Sequence, residues 1–399
     1  MKVRAITAGT NYRLPFDGPR FALVGDFLNR AREAIEKRGV EVQTTRVTGE
    51  RVNEFLEHQG PGAIVELAEN LDAACQKEGV DLGSIGTLDI AGACAPARFA
   101  VELASAVGRN ERVFASVLAV SPGLEVNRAS VLESARVVKS LSEASPDGFN
   151  TRRFALGANI PPDGPFFPTS YHDGGSNAFS IALEGADLAV EAFGRNAEIE
   201  VACSDLIASI EERCRPVEEA CLELESRYGW RYIGIDVSLA PFPSPEVSIA
   251  GACEYLGGGP FGAPGTLTAV RTIKRALKEV RIRKCGFCGV MLPVLEDSVL
   301  ASRVAEDRVT VDQLLLYSAV CGTGLDTIPV PGDATEEQLA SVMLDVCTLS
   351  AALSKPLTAR LMPVPGKTVG DFTDFRSPFF CNTLVMPLPQ GEMRHFFKG

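Results

Sequence analysis

Three histidines occur in 399 residues. One of them, His172, stands in the run Pro168-Thr-Ser-Tyr-His-Asp-Gly-Gly-Ser-Asn177. An imidazole titrates near neutral pH and can shuttle protons. The amides of Gly174, Gly175, Ser176 and Asn177 could hold a carboxylate or phosphate ahead of a helical stretch. The simpler alternative is a loop histidine hydrogen-bonded to backbone. His58 and His395 lie in polar surroundings and read as surface residues.

Carboxylates set among apolar residues form the second group. Asp236 interrupts the apolar run Gly234-Ile-Asp-Val-Ser-Leu-Ala-Pro241. A buried carboxylate is unfavourable unless paired or liganded, so Asp236 is either a base, ligand or metal-binding group, or a structural hydrogen-bond acceptor. Glu296 and Asp297 follow the expected strand Lys284–Val290. They could split into acid and base or, with Asp326, hold calcium or magnesium. A helix N-terminus is the alternative for Asp297. Cys321 stands between a helix and the glycine-rich turn that leads to Asp326 and Asp333, a position exposed enough to react. The loop Gly257–Gly265, before a helix at Thr266, offers Gly265 and Thr266 as a second anion cradle.

Three other patterns fail on context. Gly257-x-Gly259-x-x-Gly262 follows a helix rather than a strand and contains Pro260, so no nucleotide cofactor is expected. Gly366-Lys367-Thr368 lacks the first glycine of a phosphate-binding loop, since Leu361 stands there. Cys285-x-x-Cys288 has no second cysteine pair to complete a zinc site. Cys203, Cys214 and Cys221 fall at helical spacings and read as core.

These residues need a scaffold, and the pattern of short β-branched runs alternating with helical stretches supplies one. Strands are expected at 3–7, 40–47, 113–120, 154–160, 232–239, 284–290 and 357–364. Helices are expected at 19–38, 60–77, 95–107, 127–141, 183–193, 204–228, 266–279, 311–319 and 336–353. Thr310 with Gln313, and Thr335 with Gln338, have the spacing of capping boxes. Several strands are apolar on both faces, the pattern of a mostly parallel sheet or barrel covered by helices. In such folds ligands sit beyond the carboxyl ends of strands. No linker or composition shift divides the chain, so residues 1–399 read as a single α/β domain.

Composition sets further bounds. Hydrophobic residues make up 46% and charged residues 23%, an ordinary globular mix. The net charge of −12 disfavours nucleic acid as a partner. No apolar run is long enough to span a bilayer, and no signal peptide is visible. Eleven scattered cysteines fit reduced thiols in the cytoplasm.

Six segments together resemble one family. They are RAITAG (4–9), SYHDGGSNAFSIALEGADL (170–188), GIDVSLAPFP (234–243), GVMLPVLEDSVLA (289–301), YSAVCGTGLDTIPVPGD (317–333) and KPLTARLMPVPG (355–366). The chain is similar to domain of unknown function 711, also called uncharacterised protein family 0210, over nearly its whole length. The resemblance implies a ten-stranded α/β barrel like those of pyruvate formate-lyase and the anaerobic ribonucleotide reductases, with helices outside and a homo-oligomeric assembly. It also implies that His172, Asp236, Glu296, Asp297 and Asp326 occupy positions shared within the family. The glycyl-radical motif of those enzymes is missing between Val364 and Arg376, so no glycyl radical is expected. The resulting expectation is a non-radical lyase, isomerase or cyclase acting on a small anionic, oxygen-rich metabolite. His172 and Asp236 would be catalytic, and Glu296, Asp297 and Asp326 would hold a divalent cation. The alternatives are a hydrolase or transferase using Cys321 or Ser176, and a non-catalytic metabolite-binding oligomer.

Overall fold

The computed structural model describes residues 1–53, 59, 62–89, 98–121, 123, 125–389, 391 and 393–397. His58 and the expected starts of the helices at 60 and 95 lie outside the described residues.

Nine strands form one sheet. They are β1 (Lys2–Gly9), β2 (Val42–Thr48), β3 (Leu82–Asp89), β4 (Val113–Val120), β5 (Phe154–Ala158), β6 (Ala178–Glu184), β7 (Arg231–Ala240), β8 (Gly324–Pro331) and β9 (Leu357–Val364). Their order is β7-β6-β1-β2-β3-β4-β5-β9-β8. Strands β1 to β5 are parallel to one another. β6 lies antiparallel to β1, and β9 lies antiparallel to β5. β6 and β7 are parallel, as are β8 and β9. Two parallel pairs therefore flank a parallel block that runs the other way. The carboxyl ends of β6 and β7 share an edge with the amino ends of β1 and β2.

Helices connect these strands, giving a mixed α/β fold. Helices Thr266–Glu279 and Glu336–Leu353 have the expected limits, and both capping boxes form. The 30-residue helix Ile199–Tyr228 buries Cys203, Leu206, Ile210, Cys214, Val217, Cys221 and Leu224 as one stripe, the packing its spacing implies.

Two strands escaped the sequence pattern because glycine and proline disguise them. β3 carries Gly83 and Gly86. A Cβ on Gly86 would lie 1.9 Å from the Glu50 carbonyl oxygen, and its φ is +96°. β8 carries Pro329 and Pro331, and Thr327 at φ +46° breaks its alternation where the register with β9 shifts. β6 was also missed, as its second half read as the start of a helix. The segment expected as a strand at 284–290 forms only isolated parallel bridges: Ile235–Lys284 and Leu239–Val290 to β7. Pro293–Asp326 then reaches β8.

Side-chain alternation divides the sheet into two faces. Ile235, Val237 and Leu239 of β7, and Leu357, Ala359 and Leu361 of β9, join the main hydrophobic core. Their even-numbered neighbours Asp236, Ser238, Ala240 and Arg360 face a cavity instead.

Candidate functional site

The cavity has a volume of about 170 Å³. β1 contributes Arg4, β2 Arg46, β7 Asp236, β8 Asp326 and β9 Arg360. Glu296 enters from the loop after residue 290, and Arg152 from the short turn before β5. Aromatic rings, among them Phe166, Phe167 and Phe380, form much of the remaining wall.

Opposite charges alternate along one side of the cavity. Arg4 pairs with Glu184 at 3.5 Å and with Glu296 at 2.6 Å. Arg360 pairs with the other Glu296 oxygen at 2.9 Å and with Asp326 at 2.6 Å. Charge-assisted bonds of this length compensate part of the desolvation of these buried groups. Burial pushes the Asp326 carboxyl above its ordinary value; Arg360 opposes the shift and Glu296 adds to it. Burial works against the Arg360 guanidinium, yet Asp326 and Glu296 hold it above its ordinary value.

The other side carries cations without acids. Arg46 donates from Nε to Thr44 Oγ1 at 3.0 Å and lies over the Phe167 ring. Arg152 donates to the Phe149 carbonyl at 3.0 Å and lies over the Phe149 ring. Among the described residues neither has an ion-pairing carboxylate. Burial, with Arg4 adding to it, pushes Arg46 down to about 9, and burial with Arg153 does the same to Arg152. Both remain charged at neutral pH. A half-buried cation that lacks an ion-pairing anion is the chemistry of an anion site.

The structure brings Asp236, Glu296 and Asp326 to this cavity and places the other expected residues elsewhere. Asp236 itself is saturated. Its carboxylate accepts from the Ser238 amide at 3.0 Å, the Ser238 hydroxyl at 2.6 Å, and the Phe287 and Cys288 amides at 2.9 Å each. This fastens the 284–290 segment to β7, so Asp236 is a positioning group rather than a base. The bond between Arg360 and both Glu296 and Asp326 supplies the positive charge expected of a metal there. Asp297 is also engaged elsewhere: it accepts from the Val299 and Leu300 amides, the Ser248 hydroxyl and the Ala250 amide. It caps two helices, the alternative that its sequence context offered.

His172 is fully buried and does not line the cavity. Its Nδ1 lies 2.7 Å from Asp163 Oδ1 and its Nε2 lies 3.3 Å from the Gly175 carbonyl. Both neighbours are acceptors, and the tautomer decides which ring nitrogen donates and which keeps its lone pair. The loop turns carbonyls as well as amides to polar partners within the protein. Asn11 donates to the Gly174 carbonyl, and Arg231 to the Ser176 and Asn177 carbonyls, while the Gly175 amide serves Asp173. Arg231 also pairs with Asp163 and Asp173. Burial opposes ionisation of Asp173, but the Gly175 amide and Arg231 hold its carboxyl below the ordinary value. Asp163, His172 and Asp173 each offer one ligand atom within 4.8 Å of the others, a triad that could hold a metal ion.

Cys321 is fully buried in the turn between helix Val311–Ser318 and β8, and so lacks the exposure its sequence context suggested. The Gly257–Gly265 loop is closed as well: the Phe261 amide donates to Glu254, and the Gly262 amide to the Thr266 hydroxyl. Neither Gly265 nor Thr266 reaches the cavity. His395 is exposed, in agreement with its polar surroundings.

The residues that sequence reasoning passed over are arginines. Arg4, Arg46 and Arg360 each sit inside a strand among apolar or β-branched neighbours. The argument that singled out Asp236, a charge within an apolar strand, applies to them equally.

Fold and cavity define an α/β protein with a charged, aromatic-walled internal site. A profile of the family described as Uncharacterised ACR (DUF711) matches residues 1–377. The chain is 33% identical to a UPF0210 protein of Pyrobaculum aerophilum, covering 94% of this chain and 87% of that one. A UPF0210 protein of Pyrobaculum arsenaticum is 32% identical over the same shares. One of Methanopyrus kandleri is 27% identical over 93% of this chain and 88% of its own. The chain belongs to the DUF711 family, also called UPF0210.

Proposed function

We propose that the protein is an enzyme acting on a small anionic, oxygen-rich metabolite in the arginine-lined cavity, by proton transfer of the lyase, isomerase or cyclase kind. The observation that carries this reading is the pair Arg46 and Arg152, half-buried cations with no ion-pairing carboxylate among the described residues. They would bind the anionic group. Asp326, raised by burial and 2.6 Å from Arg360, would take a proton from carbon and return it. Glu296 would hold Arg4 and Arg360 in place, and these guanidinium groups would stabilise negative charge developing on a carbonyl oxygen. The cavity is smaller than the roughly 300–1,000 Å³ usual for drug-sized ligands, which favours a compact metabolite.

The same reading includes a tenth strand. The three bridges of the 284–293 segment to β7 and β8 support a barrel closed through it. The reading also takes the chain as one domain that works without radical chemistry in a cytoplasmic homo-oligomer. A divalent cation, magnesium or calcium, is best supported at Asp163, His172 and Asp173.

The test is a set of small di- and tricarboxylates and phosphorylated acids incubated with the protein in D2O and followed by proton NMR. Turnover or solvent exchange at carbon is expected for at least one. Asp326→Asn should abolish it while binding persists, and Arg152→Ala should weaken binding about 100-fold, the worth of one charge-assisted contact. Binding without exchange for every compound would leave a metabolite-binding protein; no binding at all would remove the site.

A further inference from the structure

A second concavity, of about 770 Å³, opens between helix Thr266–Glu279, the 284–288 segment and the turns on either side of helix Glu336–Leu353 and β8. It shares no lining residue with the arginine cavity. Five cations line it, Arg271, Lys274, Lys278, Lys284 and Lys355, and no Asp or Glu does. In a chain of net charge −12 this is a local reversal of sign.

The lysines are held in place by main-chain carbonyls. Lys274 donates to Phe287 O at 3.1 Å and Cys288 O at 2.7 Å. Lys355 donates to Ser318 O at 2.8 Å and Cys321 O at 2.6 Å. Lys284 donates to Lys278 O at 2.6 Å. Carbonyl dipoles orient an ammonium group but do not neutralise it. Among the described residues none of the five cations has an ion-pairing carboxylate. Lys274 keeps a third N–H for a ligand. Burial pushes both Lys274 and Lys355 down, and the charge of Lys274 adds to the shift at Lys355; a bound anion would relieve both. Val320, Leu353 and Pro356 give the cleft an apolar wall. Its volume is within the range of ligand sites, and five positive charges exceed what one monoanion would balance.

We infer that this cleft is a second ligand site, for a small molecule carrying two or more phosphate groups. The ammonium groups of Lys274 and Lys355 form its floor, and the exposed Arg271 and Lys278 form its rim. The site is independent of any chemistry in the arginine cavity.

Calorimetric titration of the full chain with inorganic pyrophosphate and inorganic phosphate at equal ionic strength tests it. Pyrophosphate should bind at least tenfold more tightly than phosphate. The double variant Arg271→Glu/Lys278→Glu changes only exposed side chains and should weaken pyrophosphate at least tenfold. Lys274→Ala should weaken it further, but it also frees two carbonyls, so the double variant decides. Arg152→Ala, in the other cavity, should leave pyrophosphate binding unchanged. No pyrophosphate binding, equal binding by the double variant, or loss of binding in Arg152→Ala would each overturn the inference.

Discussion

At the residue scale, the two arginines that lack acids carry most of the functional argument, and they make opposite demands on binding and stability. A charge drawn partly out of water without an ion-pairing partner disfavours the folded state, so an apolar side chain of similar length should be tolerated there or stabilise. Arg46→Met should therefore keep or raise the urea midpoint while removing anion binding. A variant that is clearly less stable would make Arg46 a structural residue and weaken the proposal. Asp326 makes a second demand. Its folded pKa is raised, so its stabilising contribution is fully present below the unfolded value of about 4 and is lost as pH rises through the folded value. The stability gap between wild type and Asp326→Asn should thus be widest in acid and narrow toward neutral pH. Urea unfolding at several pH values reads this, and a gap that widens with pH would contradict it. Asp236, Glu296 and Asp326 could be found in the sequence because short carboxylates in apolar runs have no route to water. Arginine in a strand can snorkel to a solvated edge, so its charge does not by itself mark burial. The parallel pairing of β9 with β8, and the bridge of Pro293 to Asp326, set Arg360 between Glu296 and Asp326.

At the element scale, the 284–290 segment shows what patterning could and could not reveal. Its position beside β7 and its proximity to Glu296 were legible, because Lys284–Val290 has strand-like composition. Its irregularity was not, because that comes from a contact distant in sequence. The Asp236 carboxylate takes the Phe287 and Cys288 amides out of any ladder. Gly286 permits this arrangement: its φ is +66°, and a Cβ there would lie 2.3 Å from Asp236 Oδ2. Gly286→Ala should therefore destabilise the protein by about 2–4 kcal/mol, combining left-handed strain with a clash against an immobile carboxylate. Gly257→Ala is the matched control, since a Cβ there meets nothing within 4 Å and its φ is not positive. It should shift stability by no more than about 0.5 kcal/mol, and helix propensity would favour the alanine. Chemical denaturation of the two variants side by side checks the pair; equal effects would mean that the segment is not held by Asp236. The helices were easier to read because caps and periodicity are local signals, whereas β3, β6 and β8 owe their pairing to neighbours far along the chain.

At the scale of the whole molecule, sign of charge and exposure of sulfur are both segregated. The chain carries an excess of acid, yet both concavities present unneutralised cations. Most of the acidity therefore belongs to the outer surface, where it tends to repel anions at long range. The helical stripe of Cys203, Cys214 and Cys221 foretold where several thiols lie, but the scatter of the others did not. Ten cysteines are described, all free, and seven of them are buried, Cys321 included. Burial raises the thiols of Cys214 and Cys288 to about 12 and pushes those of Cys221, Cys253 and Cys347 higher still. Thiolate, not thiol, attacks an alkylating reagent, so ionisation protects all of these groups, and burial also denies access to all but the half-buried Cys288. Iodoacetamide labelling of the native protein should therefore follow opening of the fold. Cys321 and Cys214 should both label slowly, with rates that rise with urea, and all cysteines should label rapidly once the chain is unfolded. Peptide mass spectrometry resolves the sites. If Cys321 alone reacts within minutes in the native protein at neutral pH, it has the access of a nucleophile, and a covalent hydrolase or transferase mechanism becomes the better account. If its rate stays with that of Cys214 across the urea series, Cys321 belongs to the packed core, and the chemistry falls to the carboxylates and guanidinium groups of the cavity.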